Sequence, residues 1–480
     1  MRWGIAFALL IILGAGFFLR ASPGLQSEGL TQDAAYHLRR ALAWDQGSYG
    51  EIDALRFHPQ GHLAWDTDPP GLYAVSSIFL GSDPEGNIRV FQAAVGALIS
   101  LVGFLVASRL WGSPYAGLLA AAFLAVAPGH VVRTFAPGFR YDGLGTLLIG
   151  AHLFTLLSFL NTSKTIWLFL TSLLVFLSLT VWRATVGFAG LEILVLAGIW
   201  VVSGDKKAPK TALAILLGLM LGLLLPYMRA QGVLWSQGFF LTLLLGVVPF
   251  FYSLSNPKRL FRAVTLGLVL VVSLVGRQAI SQTAFDREEG SAFRVWLSRF
   301  GWGEGDPFLE NLYSFVRELG SPGVSVFWNP NVFSCGLLLV VIGVALWFLR
   351  NRNNVDSKQP SWVFVFVLTL VWVALTALAD RNKVFASLFL AAVAGSWVPF
   401  CQSYRGRLVP ALLAVMITGS LGLMGWSSYQ GSKEFVGQFD PALEQLCAFL
   451  QEEVRDGEGV ASDWGTGYAL QTYAQVPTLT

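Results

Sequence analysis

QDAAYHLRRALAWDQGSYGEIDALRFHPQGHLAWDTDPPGLY, residues 32–73, lies between two apolar runs, Trp3 to Leu19 and Val90 to Ala107. It carries Asp33, Asp45, Asp53, Asp66 and Asp68, and three of the five histidines: His37, His58 and His62. Nothing else in the first half of the chain is so polar. Between two membrane spans, such a stretch lies at the bilayer surface. It far exceeds the roughly 2–8 residues of an ordinary connection, so it reads as a working loop.

The rest of the composition sets the class. Of 480 residues, 54% are hydrophobic and only 13% are charged, against about 25% charged in a soluble domain. Uncharged apolar runs recur, each long enough to cross the hydrocarbon. They predict about thirteen spans, near 3–19, 90–107, 114–130, 143–160, 165–181, 184–203, 210–226, 234–253, 260–278, 332–349, 361–379, 384–401 and 408–426. The fold class is therefore an all-α polytopic membrane protein. Its first segment reads as a signal anchor, because its apolar core is long and Arg20 suits no small-residue cleavage site.

Charge placement orients the bundle. With the N-terminus cytoplasmic, one set of connections holds Arg109, Lys164, Lys206, Lys207, Lys210, Lys258, Arg259, Arg262, Arg350, Arg352, Lys358, Arg405 and Arg407. The short opposite connections hold only Arg133, Arg140, Arg183, Arg229, Arg381 and Lys383. This is the positive-inside bias. The net charge of +3 says little beside it, and no nucleic-acid partner is expected. Cys335, Cys401 and Cys447 stand in no metal spacing and read as packing residues.

Long non-cytoplasmic pieces follow at about 20–89, about 279–331 and after span thirteen. In the second, SAFRVWLSRF has the spacing of an interfacial helix, and PFLENLYSFVREL reads as amphipathic. In the tail, DPALEQLCAFLQEEVRDG predicts a helix capped at Asp440 with Pro441 at its first position. GVASDWGTGYAL then reads as a strand and a glycine turn. Residues 1–426 are thus a membrane domain, and 427–480 the start of a non-cytoplasmic α/β domain. So few strands are not stable alone: either the chain is a fragment or the tail docks on the membrane part.

Acids at the membrane edge are functional candidates. Asp33 follows span one, and Asp142 closes the loop PGHVVRTFAPGFRYDG before span four, on the same face. Two such carboxylates could hold a hard divalent cation through oxygen or take a proton from a nucleophile. The plainer reading makes each a helix N-cap or a surface residue. His37 and His58 could ligate a metal or simply be interfacial, and Pro59 and Gly61 keep His58 and His62 off a shared helix face. His130 and His152 read as packing residues. Glu192, in mid-span, is either a buried structural acid or part of a polar passage. Arg381 and Lys383 suit a phosphate or diphosphate group, or they snorkel at a helix end.

DAAYHLRR, then FHPQGHLAW and DPPGLY, resemble the first non-cytoplasmic loop of the catalytic subunit of oligosaccharyltransferase. PGHVVRTFAPGFRYDG is similar to that family's second loop, and ADRNKVFASLFLAAVAG to its late basic-then-apolar span. SDWGTGYALQTYAQVPTL resembles the stretch of its WWDYG signature. The resemblance implies transfer of a glycan from a lipid-linked donor, a polyprenyl phosphate or diphosphate, to an acceptor polypeptide. It implies metal and catalytic roles for Asp33 and Asp142, with Mg²⁺ or Mn²⁺ as the ion. It maps the diphosphate-side cation onto Arg381, with Lys383 beside it, and acceptor contacts onto Trp464, Gly465 and Thr466. A single-subunit enzyme amid membrane lipids is expected.

Three positions depart from the family pattern. Leu144 stands where a second acid or a histidine is usual, Trp328 where a loop glutamate is, and Gly465 where the signature has aspartate. Glu310 or Glu318 could supply a carboxylate instead. A related transferase acting on a lipid or another acceptor is the runner-up. A transporter or flippase fits less well, because the best acids sit in loops rather than at the midplane.

Overall fold

The computed structural model describes residues 2–24, 30–57, 60–255, 257–276, 340–344, 360–378, 382–402, 408–436, 441–454, 458–462 and 464–479. The expectations for 279–331, with Glu310, Glu318 and Trp328, lie outside them. So do His58, Cys335, Arg381, Asp440 and Asp463.

The membrane part opens with α1 (Arg2–Gly24) and continues, after the polar loop, with α4 (Pro84–Trp111). α4 starts earlier than its apolar core because the Asp83 carboxylate caps it, accepting from Gly86 N at 3.0 Å. Then come α5 (Pro114–Val126), α6 (Pro128–Thr134), α7 (Tyr141–Thr162), α8 (Ile166–Val181) and α9 (Thr185–Ser203). α10 (Lys207–Gly222), α11 (Pro226–Ala230), α12 (Gln237–Ser253) and α13 (Arg259–Gly276) complete the first half. The second half holds α14 (Pro360–Leu378), α15 (Lys383–Ala394), α16 (Trp397–Gln402) and α17 (Leu408–Val436). Of the predicted span at 332–349, residues 340–344 are described, as helix.

By length and composition, five helices among the described residues can cross a membrane: Trp3–Ser22, Pro84–Trp111, Tyr141–Thr162, Thr185–Ser203 and Lys383–Gln402. The number becomes six if Pro114–Val126 and Pro128–Thr134 make one span, and these two are bent by 60°. That break corrects the expectation of an unbroken span at 114–130. Pro128 has no N–H to continue the helix and pushes Ala127 out of the helical region, to φ −63° and ψ 119°. Ile166–Val181, Gly238–Ser253 and Ser361–Ala377 are shorter apolar helices.

α15 sits at the centre, and every one of its residues is buried. Its Phe385 stacks on Trp182 with ring centroids 4.8 Å apart and lies 4.4 Å from the Trp372 ring. Outward-facing residues such as Phe7, Leu10, Phe18, Leu260, Phe261 and Leu268 are exposed, as lipid-facing positions should be.

The polar loop is itself built. α2 (Gln32–Asp45) leads to a two-stranded antiparallel ribbon, β1 (Ile52–Asp53) and β2 (His62–Leu63), and then to α3 (Gly71–Ser77). The tail supplies α18 (Pro441–Glu453), β3 (Val460–Ala461), α19 (Trp464–Ala469), a π-helical turn at Leu470–Ala474 and β4 (Thr478–Leu479). β3 and β4 pair in parallel, with Val460 opposite Thr478. The expected glycine turn is thus a helix, α19, which packs on α2. Local glycine content yields there to tertiary contact. Cys447 packs with Leu450, Leu470, Ala474 and Val476.

Candidate active site

α2 starts against the loop between α6 and α7. The Thr31 N–H donates to Pro137 O at 2.9 Å. One residue into the helix, Asp33 Oδ2 lies 2.6 Å from Arg140. One turn further on, the His37 ring meets Tyr141 edge-on at 5.2 Å and Phe139 at 6.3 Å. Gln92 of α4 donates to Gly138 O at 3.2 Å and holds the loop from below. Asp142 lies in the first turn of α7, buried, with Oδ2 3.6 Å from Arg133. Neither acid is the N-cap residue, which is Thr31 in α2 and Arg140 in α7. Both sit where the helix dipole favours negative charge.

His37 is a packing histidine. Its Nδ1 is 2.9 Å from the Tyr73 hydroxyl, and burial lowers its pKa to about 3. His62 is 2.8 Å from Thr67 Oγ1, and burial lowers it to about 4. A dense polar cluster binds the loop to the tail. Burial alone would raise Asp53, but the Arg39 hydrogen bond and the charges of Arg39 and Arg40 hold it below the usual carboxylate range. Arg39 reaches Asp53 at 2.7 Å and Gln471 at 2.9 Å. Arg56 donates to the Tyr36 hydroxyl at 2.7 Å and the Tyr468 hydroxyl at 3.1 Å. Tyr36 also donates to Asp68 and stacks on Tyr468 at 4.6 Å. The Thr478 N–H donates to Leu55 O at 3.0 Å. These contacts dock the described part of the tail on the loop.

The other expected site residues spread out. Trp464, Gly465 and Thr466 form the first turn of α19. Lys383 opens α15 and is buried. Glu192 is paired inside the bundle with His152, Oε2 to Nε2 at 2.7 Å, joining α9 to α7. Leu144 is buried in α7. Sequence reasoning did not single out Arg140, Tyr36, Arg56 or Tyr468. The signal available was that each adjoins or lies within a stretch already marked by its acids.

A divalent ion at Asp33 and Asp142 needs oxygen ligands facing one point. Each carboxylate instead faces an arginine, Arg140 or Arg133. Among the described residues no three His, Cys, Asp or Glu side chains converge to hold an ion. These residues do not by themselves fit the ion.

Residues 44–285 match the family model described as oligosaccharyl transferase STT3, N-terminal. The chain is 21% identical over 397 residues to the STT3B subunit of a rice dolichyl-diphosphooligosaccharide–protein glycosyltransferase, spanning 76% of this chain and 53% of that one. All of it superposes on an apo oligosaccharyltransferase from Archaeoglobus fulgidus, with TM-score 0.72 and 15% identity, covering 65% of that chain. All of it also superposes on ArnT from Cupriavidus metallidurans bound to undecaprenyl phosphate, with TM-score 0.53 and 14% identity, covering 86% of that chain. The chain therefore spans about half the rice relative and shares the fold of polytopic membrane transferases.

Proposed function

We propose that this chain, which belongs to the oligosaccharyl transferase STT3 family, transfers a glycan from a polyprenyl (di)phosphate donor to a protein side chain. One observation carries the reading: Asp33 and its helix are seated on the loop that ends at Asp142, through Thr31 to Pro137 and Asp33 to Arg140. Two acids more than a hundred positions apart thus belong to one loop cluster with two arginines in it.

In the reaction, the acceptor nitrogen or oxygen attacks the anomeric carbon. The bond from that carbon to phosphate oxygen breaks, and the phosphate leaves with the electron pair. Asp33 accepts a hydrogen bond from the acceptor group and takes up its proton as the new bond forms. Arg133, Arg140, Arg381 and Lys383 supply cations for the departing phosphate oxygens. Asp142 holds Arg133 in place, and Trp464, Gly465 and Thr466 frame the acceptor. Mg²⁺ or Mn²⁺, which the family resemblance implies, would need ligands beyond the described residues, and no step here runs through it. Its binding without donor is expected to be weak.

The same reading has thirteen spans, a cytoplasmic N-terminus and an active face on the other side of the membrane. Residues 1–426 form the transferase domain, residues 427–480 begin a non-cytoplasmic α/β domain, and one chain works alone among membrane lipids. A second reading, a polyprenyl-phosphate sugar transferred to a lipid, draws on the fuller coverage of ArnT, 86% against 65%.

The test is transfer by purified protein from synthetic polyprenyl-diphosphate and polyprenyl-phosphate glycans to Asn-x-Thr and Asn-x-Ala peptides, and to a lipid acceptor, across a Mn²⁺ titration. Peptide glycosylation that disappears in Asp33→Asn, with the variant still folded, supports the reading. Transfer to lipid but not to peptide favours the second. Full activity in Asp33→Asn overturns both.

A further inference from the structure

Arg20 lies one turn before the end of α1, and the sequence places it at the membrane edge, at the start of the long loop. In the fold it is wholly buried, 0% exposed. A guanidinium has five N–H donors and no acceptor. Here Nε donates to Thr134 Oγ1 at 2.8 Å, and Nη1 to Gly16 O at 2.8 Å and Ala125 O at 3.1 Å. Nη2 donates to Leu124 O at 3.1 Å and meets His130 Nδ1 at 2.8 Å. Five donors meet five acceptors, without a carboxylate among them.

The choice of carbonyls has a cause. In an unbroken helix, Leu124 O would accept from the N–H of residue 128, but that residue is Pro128 and has none. Ala125 O would accept from Gly129, which the 60° bend carries away. Leu124 and Ala125 are buried, 0% and 2% exposed, so their carbonyls need partners from within the protein. Arg20 supplies both, and the Ser428 hydroxyl supplies Val126 O at 2.6 Å. Arg20 thus caps the stranded end of α5 while its other donors hold α6 through Thr134 and His130. Its own carbonyl accepts from Ala136 N at 2.9 Å, on the loop to Asp142. Gly96 of α4 makes the space: a Cβ there would lie 2.6 Å from Arg20 Cδ and Nε.

We propose that Arg20 is a positioning residue: by clamping both sides of the α5–α6 break it sets the path of residues 133–142, and so where Arg133, Arg140 and Asp142 stand. The functional consequence rests on the transferase reading above; the positioning itself does not. Arg20 touches no reacting atom in this scheme.

The experiment measures position directly. Thr31→Cys and Pro137→Cys place a cysteine pair at the backbone contact between α2 and this loop. Disulfide formation under a mild oxidant is followed through the mass of the linked peptide. Linking is expected to be fast with Arg20 present and at least tenfold slower in Arg20→Met. Arg20→Lys, with three donors for five acceptors, should fall between. Gly96→Ala should slow linking as well, because its added methyl displaces the guanidinium without altering its charge. If Arg20→Met does not fold, Arg20→Lys and Gly96→Ala carry the test. Linking at the native rate in every folded variant overturns the proposal. In parallel, transfer by Arg20→Lys should lose kcat with the peptide KM retained. A protein that links as expected but transfers nothing, even unmutated, would sink the transferase reading and leave the clamp standing.

Discussion

Arg56→Met should loosen the tail from the loop without unfolding the bundle. The Arg56 side chain is 12% exposed and donates to two tyrosine hydroxyls, those of Tyr36 and Tyr468. It also lies over their rings, 4.8 Å and 5.5 Å from the centroids. Hydrogen bonds to a charged group contribute about 1.5–3 kcal/mol each, and cation–π contacts about 0.5–2 kcal/mol. Tyr36 belongs to the loop, as Arg56 does, so only the Tyr468 bond and ring contact cross to the tail. They share one side chain and do not add, and roughly 2 kcal/mol is the working figure. What survives the change is the Tyr36–Tyr468 stack, the contact of Arg39 with Gln471 and the Thr478-to-Leu55 bond. The tail should therefore open more often but remain docked. At about 1.4 kcal/mol per factor of ten, its opening becomes about 30-fold more frequent. The Thr478 amide, which donates across the contact to Leu55 O, is the reporter for hydrogen exchange. Its rate should rise about 30-fold while amides of α4 stay unchanged. Arg56→Lys should restore less than half the protection, because a point charge cannot bridge both hydroxyls as a planar fork does. Exchange at Thr478 within threefold of the native rate would refute the reasoning.

Two further outcomes follow from buried groups. His37 has a pKa near 3 when folded and an ordinary value of 6.5 when unfolded, so its contribution is whole above pH 6.5 and is lost as pH falls toward 3. That costs about 1.4 kcal/mol per pH unit, or about 2 kcal/mol at pH 5. Denaturant unfolding of the loop should show this slope and lose it in His37→Gln; an unchanged slope counts against it. Glu192→Leu or His152→Leu alone should each destabilise by about 3 kcal/mol by stranding its partner, whereas the double leucine variant should cost less than either single change. A double-variant loss equal to the sum of the singles would show that the two side chains do not act as a pair.

The positions of the helices were legible because membrane helices are written in local composition. α7 and α9 lie where the apolar runs at 143–160 and 184–203 put them. The bend between α5 and α6 was written too, in Pro128, but a proline in an apolar run signals a break only once something satisfies the carbonyls it strands. That something is Arg20, more than a hundred residues upstream. The tail shows the opposite failure. Asp-Trp-Gly-Thr-Gly reads as a turn by its glycines, yet Trp464–Ala469 is helical, because Tyr468 gains a ring and a guanidinium to pack against only when α19 meets α2.

The candidate site divides along the same line. That Asp33 and Asp142 stand at helix starts in polar loops can be read from neighbours in the chain, and both lie in first turns. Which charge each faces cannot be read that way. An acid between apolar spans suggests a cation, and a family pattern supplies a metal for it, but Arg140 and Arg133 already stand 2.6 Å and 3.6 Å from these carboxylates. Those arginines were counted from the sequence as charges on one side of a membrane, where sign and side suffice. A site depends on distance as well. Leu144, where the pattern has an acid or a histidine, fits the same picture: a buried apolar residue beside Asp142 leaves arginine as the neighbour that can balance it. An ion that binds here must therefore compete with two arginines for its ligands. Under the transferase reading a donor phosphate would recruit the arginines themselves, and that reading makes this a site for an anion first.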